Sequence, residues 1–335
     1  MSDVTKNSKP QKPEPQEFGP EGFGRIKDSD KGHWVNRSPM SVRPYLQLSR
    51  LDRPVGYWLL ALPGWIGLAF AALSHGLAVS DVTWAVLILI GAIAMRGAGC
   101  TYNDIIDQDL DAQVERTALR PLPAGTVTSK QAWAWFFAQC FIGLLVLLCL
   151  PRLAQYMSLA SIPLVAAYPF MKRITWFPQV WLGMTFNWAV LVAYAAKTGT
   201  VSSPLFILYA GLIFWTIGYD TIYACQDIED DMKIGVKSTA RKFGSHVKLG
   251  VGICYGAFLC LLFFNYWRHY NQFDTFFLAV FLLPLITNLS WQILRLKPHI
   301  AKNALTSFKS NIWAGFLVIF AFIAPILTIT LLHNG

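Results

Sequence analysis

Long apolar stretches alternate with short polar connections from about residue 55 to the end of the chain. Most of the apolar stretches are close to 20 residues long, which is the length that an α-helix needs to cross a bilayer. They lack the short alternating pattern of transmembrane barrel strands. The pattern predicts an all-α, polytopic membrane protein with about nine transmembrane helices, at residues 55–74, 82–100, 132–150, 153–170, 178–196, 204–224, 248–267, 274–294 and 311–332.

The composition agrees with a protein that lies in a lipid bilayer. Hydrophobic residues make up 54% of the chain and charged residues only 14%, whereas soluble proteins carry about 25% charged residues. Glycine allows helices to approach closely in lipid. In the first two predicted helices we expect close helix contacts at five glycines, which are Gly64, Gly67, Gly91, Gly97 and Gly99.

The positive charge of the chain is concentrated on one side of the predicted helices. The net charge is +9, and most Lys and Arg residues lie in the N-terminal segment and in the loops after the second, fourth, sixth and eighth helices. The positive-inside rule places these segments in the cytoplasm. The rule also explains the excess charge without a nucleic-acid partner.

The first 45 residues differ in composition from the rest. They are rich in Pro, Lys, Gln, Glu and Gly, which predicts a disordered tail at 1–45 and a single membrane domain at 46–335. No apolar segment typical of a signal peptide lies near the start, and six acidic residues argue against a mitochondrial presequence. We therefore expect a bacterial inner membrane. The acidic residues are Asp3, Glu14, Glu17, Glu21, Asp28 and Asp30.

An acidic row, NDIIDQDLD, follows the second predicted helix. On a continuous helix, Asn103, Asp107 and Asp111 lie four residues apart and share one face. Asp104 lies beside this row, whereas Asp109 points elsewhere. Like charges at this spacing repel by about 0.2–0.5 kcal/mol per exposed pair, so the row requires a cation. Oxygen ligands favour a hard divalent ion, and Mg²⁺ usually binds together with substrate phosphates.

A second acidic cluster follows the sixth predicted helix, on the same side of the membrane. Asp227 and Asp231 are four residues apart with Asp230 between them, and Asp220 lies two turns earlier near the same face. The two clusters together indicate one metal–diphosphate site, with Asp107 and Asp227 as its central residues. Nearby basic residues are candidates for binding the phosphates, although each alone could serve only to set topology. They are Arg116, Arg120, Lys172, Arg173, Lys233 and Lys237.

The motifs occur in an order that resembles the 4-hydroxybenzoate polyprenyltransferases, which are UbiA-type intramembrane prenyltransferases of ubiquinone biosynthesis. The resemblance covers the first six predicted helices closely and the last three only as apolar runs. The matching stretches are LDRPVG at 51–56, NDIIDQDLD at 103–111, RTALRPL at 116–122, YPFMKR at 168–173, Pro178–Gln179, and YDTIYACQDIEDDMKIGVKSTA at 219–240.

The resemblance implies a helical bundle around a central cavity that is capped by the two acidic regions. It implies Mg²⁺-dependent transfer of a prenyl group from a polyprenyl diphosphate to the ring carbon ortho to the hydroxyl of 4-hydroxybenzoate. One Mg²⁺ is then expected at Asn103, Asp104, Asp107 and Asp111. A second is expected at Asp227 and Asp231, with Asp230 assisting.

Four further residues are candidates for the aromatic acceptor and the prenyl cation. Arg53, at the start of the first helix, and Arg96, seven residues before Asn103, are candidates for the benzoate carboxylate, because an arginine at membrane depth is costly and usually functional. Tyr168 and Asp220 are candidates for steadying the ring or the cation.

Two other classes of membrane protein compete with this interpretation. Transporters have many spans, but they usually place ionisable groups near the membrane midplane, whereas here the acidic residues collect at one face. A CDP-alcohol phosphotransferase would carry a DGxxAR-type pattern, which the sequence lacks.

Overall fold

A computed structural model describes residues 32–113, 117–228, 235–269 and 279–334, together with Met232 and Phe276. These residues form helices and no strands. A short 3₁₀ helix, Trp34–Arg37, precedes the first α-helix. The α-helices are α1 (Arg43–Leu48), α2 (Val55–His75), α3 (Ser80–Ile106), α4 (Gln108–Asp111), α5 (Ser129–Cys149), α6 (Arg152–Ala160), α7 (Ile162–Ile174), α8 (Pro178–Thr198), α9 (Ser203–Ala224), α10 (Thr239–Phe243), α11 (Val247–His269), α12 (Leu283–Arg295), α13 (Ala301–Lys309) and α14 (Asn311–Asn334).

The all-helical membrane fold is confirmed, whereas the predicted number of nine spans is not. Six spans within the described residues are long and apolar enough to cross a membrane. They are Val55–His75, Ser80–Ile106, Ser129–Cys149, Ser203–Ala224, Thr239–Arg268 and Ala301–Thr328, the last two including the short helices before α11 and α14.

Local chemistry explains why three predicted spans do not appear among these six. The predicted helix at 153–170 is divided into α6 and α7 at Ser161, and Pro163 follows in the first turn of α7, where its missing N–H suits a helix start. Helix α8 has the length of a span but carries polar residues such as Asn187 and Lys197. Helix α12 has only 13 residues, and part of the predicted segment before it lies outside the described residues.

The packed core lies where α2, α8, α9, α11 and α14 meet. Ile66, Val190, Trp215, Phe258 and Phe322 are fully buried there. Helix α5 lies at the periphery and exposes large apolar side chains, including those of Phe137, Phe141 and Leu148. Such a surface suits contact with lipid rather than water.

Three of the five predicted close-packing glycines lie at tight helix contacts. An added Cβ at Gly67 would lie 2.6 Å from the carbonyl oxygen of Val190, and one at Gly64 would lie 2.7 Å from a methyl of Ile88. At Gly97 it would lie 1.9 Å from the side-chain oxygen of Gln139. The other two predictions are not confirmed: at Gly91 the nearest atom is at an ordinary 3.4 Å, and at Gly99 nothing lies within 4 Å.

Candidate functional site

A cavity of about 270 Å³ lies at the end of the bundle where α3, α7 and α9 end and α8 begins. Both acidic regions contribute to its wall, Asn103 and Asp111 from the first and Asp220 and Asp227 from the second. The remaining lining side chains are basic, aromatic, aliphatic or neutral polar. They are Leu110, Thr117, Arg120, Tyr168, Pro169, Lys172, Pro178, Gln179, Tyr223, Ala224, Val236, Lys237 and Ser238.

The first acidic row is not one continuous helix, contrary to the sequence-based expectation. Helix α3 ends at Ile106, because Asp107 leaves the α-helical region with φ −98° and ψ 8°. Two backbone hydrogen bonds keep the four-residue spacing across the break, from the Asp107 N–H to the Asn103 carbonyl at 2.9 Å and from the Asp111 N–H to the Asp107 carbonyl at 2.8 Å. Asn103 and Asp111 line the cavity, whereas Asp104 and Asp107 are not among its lining residues.

Asp107 is almost completely buried and binds two basic side chains from the end of α7. Lys172 donates to one carboxylate oxygen, and Arg173 donates to the other at 2.8 Å. Lys172 also lines the cavity, whereas Arg173 does not. Asp107 therefore joins the end of α7 to the acidic row.

Asp104 and Asp111 share Arg120. The Nη1 nitrogen of Arg120 lies 2.7 Å from Asp111 Oδ2 and 3.4 Å from Asp104 Oδ1. The same oxygen of Asp104 accepts a hydrogen bond from Arg50 at 2.6 Å. Burial raises the pKa of the Asp111 carboxyl above its ordinary value, although the charge of Arg120 acts in the opposite direction.

The second wall of the cavity is built from the end of α9 and the segment before α10. Asp220 and Tyr223 lie in the last turns of α9, and Asp227 follows the helix. The Lys237 backbone N–H donates to the Lys172 carbonyl at 3.2 Å, and its ammonium donates to the Ile174 carbonyl at 3.2 Å. These bonds hold Lys237, shortly before α10, against the end of α7.

Two predicted acceptor-binding arginines do not line the cavity. The Nε atom of Arg53 lies 3.4 Å from Asp52 Oδ2. The guanidinium of Arg96 lies 5.5 Å from the ring centroid of Phe186, and its charge interacts with that of Asp220. Tyr168 and Asp220 do line the cavity. Four other predicted site residues, Arg116, Asp230, Asp231 and Lys233, lie outside the described residues.

Arg50 is part of the charged network and was not predicted from the sequence. It is 9% exposed and has a positive φ of 55°, which is uncommon for a residue other than glycine. Its position just before the LDRPVG stretch is the only local signal. The pairing with Asp104, 54 residues away, is set by the tertiary fold.

The cavity residues fit a divalent cation together with a phosphate group. Within the described residues, no three His, Cys, Asp or Glu side chains form a preassembled metal cluster. However, Asn103, Asp111 and Asp227 bring oxygen atoms to one cavity, and hard cations prefer oxygen ligands. Arg120 and Lys172 lie on the same cavity, where they would bind the remaining phosphate oxygens. The donor set is therefore compatible with a metal–phosphate site.

The model of the UbiA prenyltransferase family matches residues 60–315. The chain belongs to this family. A mitochondrial 4-hydroxybenzoate polyprenyltransferase of Arabidopsis thaliana is 39% identical over 84% of this chain and 68% of its own length. The 4-hydroxybenzoate geranyltransferase 2 of Lithospermum erythrorhizon is 40% identical over 88% of this chain and 94% of its own length. The mitochondrial enzyme of Homo sapiens is 43% identical over 68% of this chain and 62% of its own length.

Solved structures confirm the fold. An apo UbiA homologue from Aeropyrum pernix K1 matches with a TM-score of 0.62 at 23% identity, over 82% of this chain and 98% of its own. A UbiA homologue from Archaeoglobus fulgidus, bound to GPP and Mg²⁺, matches with a TM-score of 0.63 at 18% identity, over 84% of this chain and 99% of its own.

The prediction of a bacterial inner membrane is wrong in the light of these relatives. The 4-hydroxybenzoate polyprenyltransferases of Arabidopsis thaliana, Homo sapiens, Mus musculus and Caenorhabditis elegans are all named mitochondrial. The prediction depended on acidic residues in the first 45 positions, and the composition of that segment does not determine which membrane holds the helical domain. The cytoplasmic location predicted for the N-terminus and the site is not supported either, because it depends on applying the charge rule to a bacterial membrane.

Proposed function

We propose that the protein transfers a polyprenyl group from a polyprenyl diphosphate to 4-hydroxybenzoate, in an Mg²⁺-dependent reaction. The group is added to the ring carbon ortho to the hydroxyl, and the product is 3-polyprenyl-4-hydroxybenzoate, a precursor of ubiquinone. One observation carries the proposal: carboxylates from both acidic regions line a single cavity beside Arg120, Lys172 and Lys237. The relatives support the acceptor, since they are named for transfer to 4-hydroxybenzoate.

The diphosphate head is assigned to the polar end of the cavity. Mg²⁺, when bound, supplies positive charge that stabilises the diphosphate as a leaving group. Asn103, Asp111 and Asp227 are the proposed ligands that line the cavity, and the other predicted ligands are Asp104, Asp107, Asp230 and Asp231. The archaeal homologue bound to GPP and Mg²⁺ supports this choice of metal.

The basic residues of the cavity wall are proposed to bind and orient the phosphates. Arg120 presents a planar guanidinium that suits two phosphate oxygens, and Lys172 and Lys237 act as point charges. Cleavage of the bond between the prenyl C1 and its oxygen leaves an allylic cation. The apolar walls of the bundle exclude water from this cation.

The acceptor is proposed to approach from the side of α9. Asp220 of α9 and Tyr168 of α7 both line the cavity, and the carboxylate and the aromatic ring are proposed to stabilise the allylic cation. Arg96 does not line the cavity, but its charge interacts with that of Asp220, which does, and Arg96 is therefore kept as the proposed partner of the benzoate carboxylate. Arg53 stays the alternative for that role. Attack by the ring carbon forms the new bond, and loss of the proton from the same carbon restores the aromatic ring.

The test uses purified protein in nanodiscs with 4-hydroxybenzoate and geranyl diphosphate, in the presence of Mg²⁺ or EDTA, with product detection by mass. We expect a prenylated acid with Mg²⁺ and none with EDTA, and no product from Asp227→Asn. If another phenol gives product and 4-hydroxybenzoate does not, the proposed acceptor is wrong. The assignment of the cavity to the prenyl diphosphate would still hold. Solute flux into proteoliposomes without any covalent product would contradict the enzyme and favour a transporter.

A further inference from the structure

The linker between α1 and α2 carries a buried arginine whose backbone conformation is unfavourable. Arg50 has φ 55° and is 9% exposed. Residues with a Cβ seldom adopt this left-handed conformation, because the Cβ then crowds the following carbonyl. Such conformations persist where the surrounding structure holds them and are concentrated at functional sites. The contacts of Arg50 are therefore informative.

Arg50 is the nearest counter-ion of Asp104. Its Nη2 atom donates to Asp104 Oδ1 at 2.6 Å, and its Nη1 atom donates to the Gln47 carbonyl at 3.0 Å. Asp104 is completely buried. Its second oxygen, Oδ2, accepts no hydrogen bond within the described part of the chain. A buried carboxylate requires a cationic partner such as Arg50, because its loss of hydration is otherwise uncompensated.

Arg120 connects this buried pair to the cavity. Its Nη1 nitrogen lies 2.7 Å from Asp111 Oδ2 and 3.4 Å from Asp104 Oδ1. Arg120 and Asp111 line the cavity, whereas Arg50 and Asp104 are not among its lining residues. Without Arg50, Arg120 would be the only cation left beside the Asp104 carboxylate among the residues that the structure describes. The attraction between these two charges would then draw Arg120 away from Asp111.

The linker is fixed in place by hydrogen bonds to two other helices. The Ser49 hydroxyl donates to the Gln139 side-chain oxygen at 3.0 Å and accepts from the Trp135 indole at 2.8 Å. Gln139 in turn donates to the Thr101 hydroxyl at 3.2 Å. Ser49 directly precedes Arg50, and Thr101 lies three residues before Asp104. Arg50 and Asp104 are thus held opposite each other by the hydrogen bonds of Ser49 and Thr101 to Gln139.

We propose that Arg50 is a positioning residue for the prenyl transfer. It neutralises Asp104, so that Arg120 remains paired with Asp111 at the cavity wall and the site is preorganised for the metal–diphosphate head of the donor. In this arrangement Asp104 is an internal counter-ion and not a metal ligand. The inference rests on the proposed function, because the donor is taken to be a prenyl diphosphate.

The experiment measures donor binding as well as turnover. Wild-type protein and Arg50→Gln, purified in nanodiscs, are titrated with geranyl thiolodiphosphate, a slowly reacting donor analogue, in the presence of Mg²⁺ and followed by calorimetry. We expect about 10–100-fold weaker binding for Arg50→Gln, which is the usual effect of removing a partner behind a metal site. In turnover assays the KM for the donor rises and the KM for 4-hydroxybenzoate is unchanged. A uniformly destabilised protein would not separate the two KM values.

Arg43→Gln is the matched control. Arg43 lies in α1, close to Arg50 in the chain, and its guanidinium binds the Ser38 carbonyl at 2.8 Å. This variant loses one arginine from the same region and is expected to bind the donor analogue like the wild type. A loss equal to that of Arg50→Gln would mean that the general charge of the region matters, and it would overturn the positioning role.

A second variant separates the counter-ion role of Asp104 from metal ligation and guards against misfolding of the single variant. Arg50→Gln combined with Asp104→Asn removes both buried charges, leaves Arg120 with Asp111 alone, and is expected to regain most of the lost donor affinity. If the double variant binds the donor analogue no better than Arg50→Gln does, the counter-ion role is overturned. Wild-type binding by Arg50→Gln overturns the proposal as well. A wild type that neither binds nor uses the donor contradicts the proposed function itself.

Discussion

Arg120 donates a hydrogen bond to Asp111 at 2.7 Å, on the wall of the cavity that holds both acidic regions. This pair places a cation and a carboxylate next to each other before any ligand binds. A metal–diphosphate complex offers both groups a better partner, since Asp111 gains the metal and Arg120 gains a phosphate. The pair therefore keeps both groups at the cavity wall until the donor binds, and each is then expected to exchange this bond for its bond to the donor complex. The raised pKa of Asp111 indicates that its charged form is not fully compensated by Arg120 alone.

Replacement of Arg120 tests the phosphate contact. Hydrogen bonds to charged groups contribute about 1.5–3 kcal/mol, so Arg120→Ala is expected to raise the KM for the prenyl diphosphate roughly ten- to hundredfold. Arg120→Lys keeps the charge but loses the planar pair of donors, so its KM for the prenyl diphosphate should lie between that of the wild type and that of Arg120→Ala. Steady-state kinetics at saturating acceptor measure the effect. Lys130→Ala, an exposed residue of α5, is the control, and an unchanged donor KM in Arg120→Ala would contradict the assignment.

Asp107 and Asp109 form a matched pair within the first acidic row. Asp107 is buried and binds Lys172 and Arg173, whereas Asp109 is exposed. Asp107→Asn removes the charge that holds both cations, so we expect turnover to fall by about 10–100-fold or more. Asp109→Asn should change stability by no more than about 0.5 kcal/mol and leave turnover unchanged.

The control for Asp107→Asn is the state of the fold. Circular dichroism and thermal melting with and without Mg²⁺ and donor establish whether the variant remains folded. Near-normal turnover in folded Asp107→Asn, or equal losses in the two variants, would refute the special role of Asp107.

The sequence predicts the elements of the cavity better than the contacts inside it. Runs of apolar residues and i, i+4 carboxylates are local patterns, and they locate the end of α9 at Ala224 correctly. The end of α3 is not located correctly, because the predicted span ends at residue 100 and the helix continues to Ile106. The local sequence does not show the break at Asp107, because an aspartate there favours neither a continuing helix nor a helix end strongly. The tertiary contacts with Lys172 and Arg173 decide its position. Propensity is a weak signal wherever such contacts compete with it.

Arginine roles are the least predictable part of the site. Arg53 and Arg96 are selected from the sequence because an arginine at membrane depth is costly and usually functional, yet neither lines the cavity. Arg50 was missed although it pairs directly with Asp104. A long side chain reaches over several ångströms in any direction, so the position of its Cα along the chain does not determine where the guanidinium lies. Only the packing of the linker against α3 and α5 does so.

Gly97 and Gly99 test the packing of the linker that carries Arg50. An added Cβ at Gly97 would lie 1.9 Å from Gln139 Oε1 and 3.1 Å from the Cβ of Ser49, whereas Gly99 has open space. Gly97→Ala is expected to destabilise the protein by about 1–3 kcal/mol, as overpacking does. Gly99→Ala should be neutral or stabilise α3 by up to about 1 kcal/mol, because alanine favours helix.

Thermal melting in nanodiscs compares the two glycine variants in the same helix. Gly97→Ala should also weaken donor binding, because it displaces Gln139 and the linker that fixes Arg50. Equal melting temperatures for the two variants would contradict the close contact between α3 and α5.

An ion pair far from the cavity provides a stability test that should leave the chemistry intact. Lys197, at the end of α8, donates to Asp81 Oδ2 at 2.5 Å and to the Gly76 carbonyl at 2.9 Å, and the two charged side chains are only 6% and 16% exposed. These bonds join α8 to the connection between α2 and α3, at the opposite end of these helices from the cavity. Both residues are partly buried, so breaking this pair from one side should cost less than the roughly 3–5 kcal/mol of a fully buried pair. Lys197→Met should therefore lower the melting temperature while kcat and both KM values stay at wild-type levels well below it, and the added Asp81→Asn substitution should recover part of the stability. A raised donor KM in Lys197→Met would instead reveal coupling between the two ends of the bundle.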